Sequence, residues 1–196
     1  PIDERETVER RLLEKPVIES RLLDDMEDLS AWRPVTDYVT MGLSTERCVS
    51  GSHSLRMEAP CNLDDWRSEA GRGRIYAEPG VMRVFDREDW RAFNRLSVWV
   101  YPHVPGMKSL SFRIQLHNDG EHKVPDIFFR EGHHNVSLKP DEWNHVVLEF
   151  PYLHRDCVTG VSFEYDMCGH ENDSADHGVW YIDRLELQKV KADVYE

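Results

Sequence analysis

The sequence has no apolar run near the ~20 residues needed to cross a bilayer, no excess of positive charge, no Cys-x-x-Cys pair and no internal repeat. Each absence removes a class of protein. With 24 Lys and Arg against 37 Asp and Glu, the net charge is −13. That charge opposes the phosphate neutralisation on which nucleic-acid affinity rests and repels an anionic lipid surface, so neither nucleic acid nor membrane insertion is expected. There is no phosphate-cradling glycine loop, no Gly-x-Ser-x-Gly elbow and no His-Glu-x-x-His zinc helix. Cysteines stand at 48, 61, 157 and 168, spaced for neither a structural zinc site nor a thioredoxin motif. Their pairing stays open between free buried thiols and a disulfide. The opening residues Pro1-Ile2-Asp3-Glu4-Arg5 contain no apolar signal region, which reads as a mature product whose address has been removed.

What is present is enough for one sizeable core. A chain of 196 residues fits a single sandwich or barrel with an appendage. Six Trp, seven Tyr and seven Phe argue against disorder. Residues 1–18 form a charged arm in which Val8, Leu12 and Leu13 lie on one helical stripe before Pro16 stops it. From Glu19 the period changes to two. Extended runs such as 96–101, 109–117, 145–150, 161–165 and 179–187 are separated by turn-formers such as Asn118-Asp119-Gly120. Many short strands with such turns predict an all-β sandwich of the jelly-roll sort over residues 19–190, followed by a tail at 191–196.

Alternation sorts the faces of these runs. Leu110, Phe112, Ile114 and Leu116 are expected in the core, which sends Ser111, Arg113, Gln115 and His117 outward. Likewise Val161, Phe163 and Tyr165 face inward, and Ser162, Glu164 and Asp166 outward.

Three separated segments resemble the marks of calcium-bearing carbohydrate-binding modules, the galactose-binding-like jelly rolls appended to glycoside hydrolases. They are Leu22-Leu23-Asp24-Asp25-Met26-Glu27-Asp28-Leu29 with Trp32, then Val49-Ser50-Gly51-Ser52-His53-Ser54-Leu55, then Trp180-Tyr181-Ile182-Asp183. Phe93–Val100 and Asp141–Val146 match in style and order. The resemblance implies a structural calcium, with Asp25, Glu27, the Gly51 carbonyl, Ser54 and Asp183 as ligands. Calcium takes six to eight oxygens from carboxylates and carbonyls, and the acidic segments offer them. Alternation alone does not say which of Asp24, Asp25, Glu27 and Asp28 points at the glycine loop. The bland alternative is that Glu27 and Asp183 merely flank strands in water.

A sugar groove needs aromatic faces for C–H patches and planar polar groups for hydroxyls. The candidates are Trp66 and Tyr76 in the 60–80 region, Trp99 and Tyr101 on one strand, and Arg113, Gln115, His117 and Glu164. Each has a plainer reading: Trp99 as an inward core aromatic, Trp66 as a lid, and the polar row as a solvated face. The ten histidines also raise an enzyme reading. Arg113, Gln115 and His117 look superficially like elements of jelly-roll polysaccharide lyases, but the Arg-x-Glu-x-Arg and Tyr-Phe-Lys-Ala-Gly strands of those enzymes are missing. His133 and His134 point to opposite faces of a strand, and the 169–178 segment lacks EF-hand spacing. No carboxylate pair stands out as the two acids of a glycosidase.

The expectation is a non-catalytic module that binds an oligo- or polysaccharide, linked to a catalytic domain in a secreted or periplasmic enzyme. The alternative is a structural or interaction sandwich with no sugar site; a lyase comes third.

Overall fold

The computed structural model describes residues 4–60, 79–105, 110–121, 130–166 and 177–191. Among the described residues the regular elements are one helix, α1 (Glu4–Glu14), and then strands. These are β1 (Val17–Asp24), β2 (Trp32–Pro34), β3 (Thr40–Ser44), β4 (Ser54–Pro60), β5 (Gly80–Glu88) and β6 (Arg95–His103). After them come β7 (Leu110–Asn118), β8 (Arg130–Leu138), β9 (Asn144–Glu149), β10 (Val158–Asp166) and β11 (His177–Val190). The all-β sandwich expected from the sequence is the fold.

Two antiparallel sheets make the sandwich. One has the order β3-β4-β11-β6-β9, with β1 pairing the second half of β11; the other has the order β2-β5-β10-β7-β8. The long β11 is central to the first sheet. It pairs β6 along one side, and β4 then β1 along the other. The first strand begins at Val17, so among the described residues α1, Lys15 and Pro16 precede the sheet.

The inward residues expected for β7 and β10 are in the core: Leu110, Phe112, Ile114, Val161, Phe163 and Tyr165 are fully buried, and Leu116 nearly so. They meet Leu55, Met57, Val98, Val100, Trp180 and Ile182 from the facing sheet. Phe163 stacks on Phe112 with ring centres 6.0 Å apart and lies 5.7 Å from Trp32. Trp90 closes one end between Phe85 and Phe150. Cys48 and Cys157 are free thiols; Cys61 and Cys168 lie outside the described residues.

α1 crosses the outward side of the first sheet. The Arg95 guanidinium donates to the Leu12 carbonyl at 2.7 Å, and Lys15 pairs with Glu149 at 2.8 Å. This cover helps bury Arg95, Ser97 and Gln188 on a face turned away from the core.

Truncating a fully buried aromatic ring costs its transfer energy plus the cavity left behind. Phe163→Ala is therefore expected to lower unfolding free energy by about 3–5 kcal/mol, with little change in urea m-value, measured by tryptophan fluorescence.

Candidate functional site

The outward face of the second sheet gathers the predicted polar row. β7 and β10 pair with Arg113 opposite Glu164, Gln115 opposite Ser162 and His117 opposite Gly160. The hydrophobic alternation fixes this register, because slipping by one residue would turn every apolar side chain outward. Side chains on the far face are thereby brought into contact.

There they form one network centred on Glu164. Its Oε2 accepts from the Arg113 guanidinium at 2.9 Å and from the Gln115 amide at 2.8 Å. Its Oε1 accepts from the Ser162 hydroxyl at 3.0 Å. His117 Nε2 lies 3.1 Å from the same hydroxyl. Ser162 has one proton and gives it to Glu164, so His117 must donate through Nε2. Gln115, Ser162 and Glu164 are almost wholly buried although they point away from the core. Charge-assisted hydrogen bonds of this kind hold planar groups in fixed orientation.

Two strand glycines shape this face, and sequence reasoning passed over both. Gly80 sits beside Glu164, and a Cβ there would come within 2.8 Å of the Glu164 Cγ. At Gly160 a Cβ would meet the Met82 methyl at 2.1 Å, so Met82 lies across that glycine, with the Arg33 guanidinium 3.4 Å from its sulfur. A glycine inside a strand is the signal that could have marked these close approaches.

Trp99 and Tyr101 are elsewhere. They project from β6 on the outward side of the other sheet, across the sandwich from Arg113. Trp99 stacks on His145 directly opposite it on β9, with ring centres 4.5 Å apart and planes 5° from parallel. The face of Tyr101 carries the Arg47 guanidinium at 4.3 Å, with Trp143 and Tyr181 packed edge-on. The Tyr181 hydroxyl donates to Glu46. These rings are already engaged and share no groove with Arg113. Trp66 and Tyr76 lie outside the described residues, as does most of the 169–178 segment. His145 is pushed below the usual histidine range, chiefly by burial and also by the nearby Arg95 charge, with Glu186 opposing. Its Nε2 meets the Ser97 hydroxyl at 2.7 Å.

The expected calcium ligands converge in part, at the loop joining β3 to β4. Asp24 instead accepts from Trp32 Nε1 at 3.1 Å and from Arg83 at 2.6 Å. Asp25 and Asp28 accept from the backbone N–H two residues on, making local turns. Glu27 is the one that reaches the loop. It accepts from the Ser52 and His53 backbone and meets His53 Nδ1 at 2.6 Å, contacts that lower its pKa. Gly51 has φ of +66°, and a Cβ there would lie 2.4 Å from Glu27 Oε1.

Asp183 is fully buried across the loop from Glu27. Its Oδ2 accepts from Val49 and Ser50 N–H, while its Oδ1 has no hydrogen-bond partner. The Ser54 hydroxyl, one step beyond the Leu55–Ile182 rung, is buried without a partner too. Burial raises the Asp183 pKa above its ordinary value, and the Glu27 charge adds to the shift. A buried carboxylate with one oxygen unpartnered and an unpartnered hydroxyl next to it, with no cationic side chain paired to Asp183 among the described residues, fit an oxygen-seeking cation. Among the described residues no three His, Cys, Asp or Glu side chains converge as a metal cage, so a cation here would also draw on the Ser54 hydroxyl and backbone carbonyls.

No protein-family model matches the sequence, and no curated protein matches it. Solved structures do match the fold. A family 11 carbohydrate-binding module from Clostridium thermocellum, described in complex with a β-1,3-1,4-mixed-linked tetrasaccharide, superposes with a TM-score of 0.54 at 14% identity, covering 87% of this chain and 96% of that one. A solution structure of CtCBM11 gives 0.55 at 13% identity, over 88% and 96%. An exo-β-agarase gives 0.57 at 10% identity, over 87% of this chain but 25% of that one. These likenesses establish a shared sandwich fold.

Two outcomes follow from the geometry. Gly80→Ala forces Glu164 off its partners, so it should lower the melting temperature by several degrees, whereas Gly42→Ala, where a Cβ meets nothing within 4 Å, should not. The depressed pKa of His145 means the unfolded chain binds its proton first. Stability should therefore fall as pH drops below about 6.5, and His145→Gln should flatten that slope in urea titrations from pH 8 to 5.

Proposed function

We propose that the chain is a non-catalytic carbohydrate-binding module whose ligand lies on the outward face of the second sheet. The observation that carries this reading is the Arg113–Glu164–Gln115–Ser162–His117 network. Sugar hydroxyls both donate and accept, and are best held by planar groups that cannot rotate away. Glu164 neutralises Arg113, so the face offers hydrogen bonds without net positive charge. Together with the overall −13, this favours a neutral oligo- or polysaccharide over a uronate polymer. Two neighbours in fold support the class: the family 11 module described with a mixed-linked tetrasaccharide, and a xylan-binding family 22 module from Paenibacillus barcinonensis, with a TM-score of 0.50 at 12% identity.

The mechanism is binding alone. A module tethered to a catalytic domain holds that domain near an insoluble polymer and raises the effective concentration of its substrate. A linked polysaccharide-degrading domain and a secreted or periplasmic setting belong to this proposal. Among the described residues no helix is long and apolar enough to cross a membrane.

We also propose a structural calcium held by Glu27, Asp183, the Ser54 hydroxyl and the Gly51 carbonyl. The ion would supply the charge that Asp183 lacks and tie the first turn, the β3–β4 loop and β11 together. The protein's part is to aim Asp183 at the loop through the Val49 and Ser50 N–H groups. Without a cation the raised Asp183 pKa costs the fold stability, a penalty that grows as pH rises from the ordinary aspartate range up to the raised value. Calcium stabilisation should accordingly be greatest near neutrality and fade on acidification.

Isothermal titration against neutral and acidic glycans tests the first proposal. Arg113→Ala and Glu164→Gln should each weaken binding of the preferred neutral glycan by about tenfold or more, the loss of a charge-assisted bond at 1.5–3 kcal/mol. Trp99→Ala should leave affinity unchanged. Absence of any glycan binding would favour the structural-domain reading, and an unsaturated product would favour a lyase.

For the second proposal, calcium at about a hundred times its Kd should stabilise by about 2.7 kcal/mol over EDTA, roughly 5–10 °C in Tm for a chain of this size. Asp183→Asn should abolish that rise while leaving the melt in EDTA unchanged or higher. A calcium response retained in Asp183→Asn would place the ion elsewhere.

A further inference from the structure

β1 joins its sheet through one side only. It pairs β11, and among the described residues no strand pairs with its other edge. Six consecutive residues, Val17 to Leu22, are exposed. Three of them are large and apolar: Val17, Ile18 and Leu22 are 46%, 65% and 52% exposed. An open strand edge presents unpaired N–H and C=O groups, and exposed apolar side chains along it add a reason to be covered.

The sequence of β1 is complementary to itself. Two copies laid antiparallel about Ser20 set Glu19 of one opposite Arg21 of the other, twice, by symmetry. Leu22 ends the regular stretch, and Ile18 sits in the bulge that precedes it. Shifting by one residue loses this: Glu19 then meets Ser20 or Leu22. Opposite charges directly across a ladder are favourable, and like charges there are not. Bulges between Val17 and Glu19 and between Leu22 and Asp24 bound the regular stretch, which confines pairing to the rungs around Ser20. A twofold contact of this kind uses the β1 edge of both copies, so it closes at two and does not propagate.

We propose that β1 is a dimer interface, through which two copies of this chain pair their β1 edges antiparallel about Ser20 into one continuous sheet. The polar network of Arg113 and Glu164 is on the other sheet and stays open in such a dimer, so the proposal is independent of the sugar-binding reading.

The test is sedimentation velocity over a concentration series, with a charge swap. Glu19→Arg leaves Arg opposite Arg, and Arg21→Glu leaves Glu opposite Glu. Each should weaken self-association by about tenfold or more, because two attractions become two repulsions. An equimolar mixture of the two variants sets opposite charges across the ladder again and should restore the dimer as a mixed species. Arg21 also pairs with Glu88 and covers Phe93, so Leu22→Lys serves as a further variant that leaves those contacts intact; it too should favour the monomer. A wild-type chain that stays monomeric at every soluble concentration overturns the proposal. So do variants that dimerise as well as wild type, or a mixture that fails to associate.

Discussion

The period-two alternation of β7 and β10 is the constraint on which the site depends. Phe112, Ile114, Phe163 and Tyr165 must face the first sheet, because each is wholly buried there and exposing such rings costs kilocalories. That requirement fixes the register between the two strands. Once the register is fixed, Arg113 has no choice but to lie opposite Glu164, and Gln115 opposite Ser162. The polar network is thus a consequence of core packing by the side chains on the opposite face of the same two strands. Gly80 and Gly160 complete it by leaving room where any side chain would push Glu164 or Met82 aside.

The second organising feature is β11. It runs through the first sheet, carries Trp180 and Ile182 into the core, and delivers Asp183 to the β3–β4 loop. A buried carboxylate with one oxygen unpartnered is costly, and such a group persists when something it serves repays the cost. The same strand gives β1 its ladder. One long strand therefore links the candidate cation site, the core and the exposed edge.

Much of this was legible in the sequence. The β7 run 109–117 and the β10 run 161–165 announced both their inward and outward residues, because long alternating segments carry the strongest signal. The short strands β2 and β3 carried little signal of that kind; β2 spans only Trp32–Pro34. Alternation also tells which side of a strand a residue takes but not which sheet the strand joins. Trp99 and Arg113 are both groove candidates as letters, and they lie on opposite sides of the molecule. The acidic turn shows a similar limit. Asp24, Asp25, Glu27 and Asp28 differ little as letters, yet only in three dimensions does Asp24 meet Arg83 while Glu27 reaches the loop at Ser52.

The most direct measurement of the central claim is an amide chemical-shift titration of the isotopically labelled chain with a soluble neutral oligosaccharide. If the sheet face formed by β7 and β10 is the binding surface, the perturbed amides will cluster between 113 and 117 and between 160 and 164, while those of 95–101 on the far sheet stay still. Perturbations confined to the far sheet, or none at saturating sugar, would contradict it.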